Sequence, residues 1–102
     1  MSAYFIISYD IVDFEEFQNY PPKVWDLLQR HGGELLASDM EAQAIEGDRK
    51  MMHAIIRFPS REQALACFNS DEYQNQIMQH RHNSTTDARV VLVQGFDPET
   101  VA

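Results

Sequence analysis

The chain switches between stretches of β-favouring apolar residues and stretches whose apolar positions recur every third or fourth residue, and this switching predicts its elements. Ala3 to Ile11, rich in Tyr, Phe and Ile, reads as a strand. Asp13 and Glu16 then have the spacing of a capping box, with Val12 and Phe17 placed as a hydrophobic staple, so a helix starts at Phe14. Phe17, Tyr20, Val24, Leu27, Leu28 and His31 keep helical spacing, but Pro21 and Pro22 remove backbone donors and crowd the preceding turn. A break is expected between Asn19 and Pro22. The second helical piece can use Pro22 in its first turn, and it stops at Gly32-Gly33, where glycine accepts a left-handed cap.

Glu34 to Met40 and Gln43 to Glu46 read as short strands flanking a polar bend, followed by turn chemistry at Gly47-Asp48-Arg49-Lys50. Met51 to Phe58 is the next strand. Ser60 and Gln63 form a second capping box, so a helix begins at Arg61. Ser70 offers a further N-cap, and Asp71 and Glu72 put negative charge where a helix dipole is positive; the chain bends near Asn69 and resumes as helix. Asn83 to Asp87 reads as a polar loop, and Ala88 to Phe96, centred on Val90-Val91-Leu92-Val93, as the last strand.

The resulting order is βαββαβ, with the second strand split. This is the ferredoxin-like arrangement of the α+β class, a four-stranded antiparallel sheet with two helices on one face. The other face should be covered as well. In the third strand Met52, Ala54, Ile56 and Phe58 alternate with Met51, His53, Ile55 and Arg57, and in the first Phe5, Ile7 and Tyr9 oppose Tyr4 and Ile6. Neither side is simply polar. A second copy of the chain, packed sheet against sheet, covers the free face with a single patch used twice, so a homodimer is expected.

Composition agrees with that picture. A chain of 102 residues with 44% hydrophobic content suits one domain spanning residues 1–102, and a domain of this size covers its own apolar surface only in part. No repeat, linker or low-complexity stretch points to a second. The net charge of −8 argues against non-specific binding to nucleic acid or anionic membrane, both of which need clustered Lys and Arg. Cys67 is the one cysteine, which rules out an internal disulfide, and its apolar neighbours point to a buried, unreactive thiol. Met1 leads almost directly into a strand, with neither a basic leader nor an apolar run long enough to span a bilayer, so a cytoplasmic location is expected.

Candidate chemistry is sparse. His53 and Arg57 share a strand face, where an imidazole could shuttle protons beside an anion-binding guanidinium, or where Arg57 could pair with an acidic residue of a partner subunit. Tyr73, Ile77, His80 and Arg81 form a helical stripe that, with Asn69, could line one end of a cavity between helix and sheet or simply pack there. Tyr4, Tyr9 and Tyr20 could orient a phenolic or quinone-like ligand, although aromatics at this spacing also build cores. The histidines 31, 53, 80 and 82 show no converging metal-ligand spacing, and no metal or cofactor is implied. His31 is placed to interact with the last carbonyls of its helix. A Ser-His-Asp order, a phosphate loop and a cysteine pair are all missing.

Gly32-Gly33, Glu46-Gly47-Asp48, Phe58-Pro59-Ser60, Asn69-Ser70, Glu72-Tyr73-Gln74 and Val91-Leu92-Val93 together resemble the domain-of-unknown-function 1330 family, of the dimeric α/β-barrel superfamily. The resemblance covers nearly the whole chain. It implies a homodimer whose two sheets close into a barrel with helices outside, in a family without an agreed activity. Departures fall at polar positions: Ser38-Asp39-Met40 stands where members often carry an arginine and a glycine pair, Arg57 where an acidic residue is common, and no tryptophan follows Glu46-Gly47-Asp48. The superfamily includes cofactor-free oxygenases of the antibiotic-biosynthesis type and haem-degrading oxygenases. Haem-degrading members have a helix start similar to Ser70 to Tyr73, with the iron-ligating histidine four residues past the aromatic; Ile77 stands at that position.

The expectation is therefore a small protein binding a modest organic ligand between helices and sheet, through Tyr9, Asn69, Tyr73, His80 and Arg81. The alternative is a cofactor-independent oxygenase or isomerase acting on an aromatic or quinone-like molecule, with His53, Arg57, Tyr73 or His80 as acid, base or anchor. That alternative requires two or more of those side chains to converge on one enclosed cavity.

Overall fold

The computed structural model describes residues 1–100. Its strands are β1 (Ala3–Ile11), β2 (Glu34–Asp39), β3 (Met52–Phe58) and β4 (Thr85–Gln94), and its helices are α1 (Phe14–Phe17), α2 (Pro21–His31), α3 (Arg61–Phe68) and α4 (Met78–Ser84). A π-helical turn, Tyr73–Ile77, leads directly into α4, and a 3₁₀ turn covers Pro98–Thr100. The four strands form one antiparallel sheet in the order β2-β3-β1-β4, so the fold is α+β and ferredoxin-like as expected.

The helix boundaries follow from identifiable caps. Asp13 Oδ1 accepts the Glu16 N–H at 3.0 Å to open α1, and Ser60 Oγ accepts the Gln63 N–H at 3.1 Å to open α3. Pro21 and Pro22 occupy the first positions of α2, where a missing donor costs nothing, and the Gln18–Tyr20 turn separates it from α1. At the other end Gly32 takes a left-handed φ of 77°, and the N–H groups of Gly32 and Gly33 both turn back to the Leu28 carbonyl. Ser70 Oγ accepts the Tyr73 N–H at 3.2 Å, restarting the helix after the bend at Asn69.

Alternation along the strands sorts side chains onto two faces. Phe5, Ile7 and Tyr9 of β1 sit opposite Ile56, Ala54 and Met52 of β3, and this face packs under the helices against Leu27, Leu28, Ala64, Cys67, Tyr73 and Ile77. Tyr4 and Ile6 fall on the other face, opposite Arg57 and Ile55 of β3 and Val93 and Val91 of β4. That face is open: Ile6, Val91 and Val93 are 41%, 52% and 38% exposed.

Three sequence expectations need correcting. Gln43 to Glu46 is not a strand; it lies in the connection between β2 and β3, whose pairing ends at Asp39 opposite His53, and it makes no sheet pairing itself. Asn83 to Asp87 is not a loop. Helix α4 runs through Ser84 and β4 begins at Thr85, since the Ser84 carbonyl accepts the Val12 and Asp13 N–H groups and ties the helix end to the end of β1. The chemistry that suggested a loop is absorbed by a register shift opposite Ser8–Asp10, with Asp87 at a positive φ of 54° and its carboxylate against Lys50. The last strand ends at Gln94 rather than Phe96.

Candidate functional site

A cleft of about 490 Å³ opens between α2 and the helix-covered face of the sheet. Its roof is Pro21, Pro22, Val24, Trp25 and Leu28, its floor Ile7, Tyr9, Met52, Ala54 and Ile56, and its ends are Phe17 with Tyr20 and Leu35 with Ser38. The volume lies within the roughly 300–1,000 Å³ range of small-molecule pockets. The reason for the cleft is local. The paired prolines force α2 to start anew after Tyr20, and the helix is attached to the sheet through Leu27 and Leu28 near its C-terminal end, while Trp25 remains 53% exposed at the rim.

Behind the cleft lies a smaller cavity of about 40 Å³, which shares the walls Ile7, Tyr20, Val24, Leu28 and Ile56 and is completed by Phe5, Leu27, Phe58, Cys67, Phe68, Tyr73, Arg81 and Val90. Its polar groups are few and clustered. The Tyr20 and Tyr73 hydroxyls are hydrogen-bonded at 2.7 Å, and the Arg81 guanidinium sits beside both. Burial pushes the Tyr20 phenol well above its ordinary value, with Tyr73 adding to the shift, and burial pushes Tyr9 up to about 12. Both are neutral hydrogen-bonding groups under physiological conditions. Cys67 is buried and raised to about 11 by burial, so it is a thiol rather than a nucleophilic thiolate.

The π-helical turn aligns this cluster. Four residues of α-helix overshoot one turn by about 40°, so an i, i+4, i+8 series drifts around the axis. The wider π turn over Tyr73–Ile77 offsets that drift, and Tyr73, Ile77 and Arg81 are all buried on one side.

The sequence-expected residues divide accordingly. Tyr9 and Tyr73 line the cleft and the inner cavity respectively, and Arg81 lines the inner cavity. His80 does not face either space; its Nδ1 lies 2.6 Å from Glu16 Oε1 and links α4 to α1. Asn69 is exposed at the end of α3. His53 and Arg57 lie on the open sheet face, where His53 Nε2 accepts the Lys50 N–H at 3.1 Å and Arg57 pairs with Glu34 of the same chain. Of the four residues considered as acid, base or anchor, Tyr73 borders the inner cavity, and His53, Arg57 and His80 line neither it nor the cleft. The sequence reading did not single out Trp25, Leu35, Ser38 or Met52 as lining residues. The apolar Trp25 beside Pro21-Pro22 was the available signal. Among the described residues no group of three His, Cys, Asp or Glu side chains is placed to hold a metal ion, and no helix is long and apolar enough to cross a membrane.

An antiparallel four-stranded sheet with helices on one face, and a cleft between the two, defines an α+β protein of the ferredoxin-like type. The chain belongs to the family described as "Domain of unknown function (DUF1330)", whose profile matches residues 2–96. It is similar in structure to a Rhodopseudomonas palustris protein of unknown function, at 14% identity and a TM-score of 0.78, covering 95% of this chain and 84% of that one. It is also similar to SnoaB, a cofactor-independent oxygenase from Streptomyces nogalater, at 10% identity and a TM-score of 0.66, with 98% of each chain covered. No curated protein matches it in sequence.

Proposed function

We propose that the protein is a homodimeric binding protein that holds a small, largely apolar organic molecule in the cleft of each subunit. The observation that carries this reading is the 490 Å³ cleft itself: its walls are almost wholly apolar, and it adjoins an inner cavity where the Tyr20, Tyr73 and Arg81 side chains cluster. The open sheet face supports the dimer, because Ile6, Val91 and Val93 form an exposed apolar row suited to a second copy. Pairing there leaves the cleft untouched on the opposite side of the sheet.

Trp25 is the sole tryptophan and lies at the rim, so the test is direct. Titration with alkylbenzenes bearing one polar group should change Trp25 fluorescence saturably and raise the melting temperature. An Ala54→Phe substitution, which adds bulk at the half-buried floor of the cleft, should abolish both effects while the far-ultraviolet spectrum stays unchanged. Absence of any response in the unmodified protein across a panel of such compounds would defeat the binding reading.

The oxygenase or isomerase alternative draws support from the likeness to SnoaB, which at 10% identity speaks to the fold alone. His53 and Arg57 are on the far face of the sheet and His80 is committed to Glu16, so no observation favours that reading over ligand binding.

A further inference from the structure

We propose that Arg81 and the Tyr20–Tyr73 hydroxyl pair form an anion-recognition point at the inner end of the cleft, and that the ligand is an apolar molecule carrying one ionised carboxylate. This rests on the reading that the cleft holds a small organic molecule, and it specifies the chemistry of that molecule.

Arg81 is 4% exposed, yet none of the ion pairs among the described residues includes it. The contrast with other cations is sharp. Arg30 is held by Asp26 and Glu72, Lys50 by Asp10 and Asp87, and Arg57 by Glu34, although all three are far more accessible. A guanidinium keeps its proton in proteins, and the groups that face this one are the Tyr20 and Tyr73 hydroxyls rather than a carboxylate, so its charge is hydrogen-bonded but not neutralised. Tyr20 does not supply that counter-charge, because burial holds it as a neutral phenol. A buried cation bordering a cavity and lacking an acidic partner is a site prepared for an anion.

The shape of the donor set narrows the anion. Where the Tyr20 and Tyr73 oxygens meet at 2.7 Å, one hydroxyl proton lies between them and the other is left to donate elsewhere. A planar guanidinium fork beside a free phenolic donor suits the two oxygens of a carboxylate. Size agrees with this. The inner cavity of about 40 Å³ has room for roughly two or three water-sized atoms, enough for a head group and too little for a ring. The cleft of about 490 Å³, sharing the walls Ile7, Tyr20 and Val24, takes the apolar body.

The test compares 4-butylbenzoate with 4-butylbenzyl alcohol, which share a body and differ in charge. Both are titrated near neutral pH, with calorimetry for affinity and Trp25 fluorescence to report occupancy of the cleft. The protein should bind the carboxylate at least about tenfold more tightly, the factor expected of a charge-assisted hydrogen bond in a dry site. Arg81→Gln should remove that preference and leave alcohol binding within about twofold, while Arg81→Lys should retain part of it because the charge persists without the fork. Equal affinity for the two compounds, or an unchanged preference in a folded Arg81→Gln protein, would overturn the anion site while leaving the binding reading in place. If Arg81→Gln fails to fold, the unmodified protein and Arg81→Lys decide by the same ratio. If neither compound perturbs Trp25, the binding reading falls and the anion site with it.

Discussion

At the scale of single residues, the consecutive glycines at the end of α2 are required for different reasons. Gly32 has a φ of 77°, and a side chain there would face only ordinary contacts at 3.8 Å. Gly33 has no such backbone demand, but a Cβ would lie 2.9 Å from both Leu28 Cδ2 and Phe58 Cζ, in the core. Gly32→Ala should therefore cost about 1–2 kcal/mol through backbone strain, and Gly33→Ala about 1–3 kcal/mol through displaced core side chains. Urea unfolding monitored by circular dichroism measures both. Crystal structures of the two variants should differ, with Leu28 and Phe58 shifted only in the second. Tyr9 makes a prediction about pH. Its folded value of about 12 stands above the ordinary 10.0, so between those values the native state keeps a proton that the unfolded chain has lost. The stability this group contributes is complete below pH 10 and is lost as pH rises toward 12. The loss is at most about 1.4 kcal/mol per pH unit. Urea midpoints taken across alkaline pH should fall less steeply for Tyr9→Phe than for the unmodified protein; parallel curves would contradict the assignment.

At the scale of elements, the helix starts follow short polar motifs, whereas the course of each helix depends on what it packs against. Ser60 Oγ caps α3 through Gln63, so Ser60→Ala should cost about 1 kcal/mol with little change to the cleft, read as a lower urea midpoint and unchanged Trp25 fluorescence. Ser70 has a second duty. Its hydroxyl lies near both the Cys67 carbonyl, at 2.8 Å, and the Tyr73 N–H, so it fixes the angle between α3 and the segment that carries Tyr73 and Arg81. Ser70→Ala should destabilise by a similar amount and, unlike Ser60→Ala, should weaken ligand binding by moving Tyr73 relative to Tyr20. Equal binding by the two variants would show that the elbow does not position the cluster. The π turn has no comparable signature, since Tyr73 to Ile77 reads as ordinary helix and its widening follows from burying Tyr73, Ile77 and Arg81 together.

At the scale of the whole molecule, the sheet separates two tasks. One face carries the helices, the cleft and the polar cluster; the other presents Ile6, Val91 and Val93 to the outside. If that outer face joins two copies, Ile6→Glu together with Val91→Glu should convert a dimer to a monomer in sedimentation velocity. The far-ultraviolet spectrum should not change, because both side chains are already exposed. Retention of the dimer by the double variant would place its interface elsewhere. The acidic surface argues against a large nucleic-acid partner on either face.

The order of strands and helices was legible in the sequence because each signal is local. Runs of β-favouring apolar residues mark β1 and β3, capping residues mark the starts of α1 and α3, and Gly32 marks the end of α2. Family membership was legible for the same reason, through turns and caps that recur at fixed places. The sequence-level errors fall where a local signal met a distant partner: Gln43 to Glu46 has strand-like composition but lies beyond Asp39↔His53, where the β2–β3 pairing ends, and Asn83 to Asp87 looks like a loop but is held by β1 and Lys50. The candidate site was legible only in part. Tyr73 and Arg81 share a stripe that helical spacing reveals, yet nothing in that spacing says that Tyr20, 53 residues away, meets Tyr73, or that Glu16 takes His80 and leaves Arg81 without an acid. Pairing, burial and the space left between α2 and the sheet are properties of residues brought together from across the chain. The sequence determined the elements and the family; the tertiary structure decided which charges are neutralised, which is buried alone, and where a ligand has room.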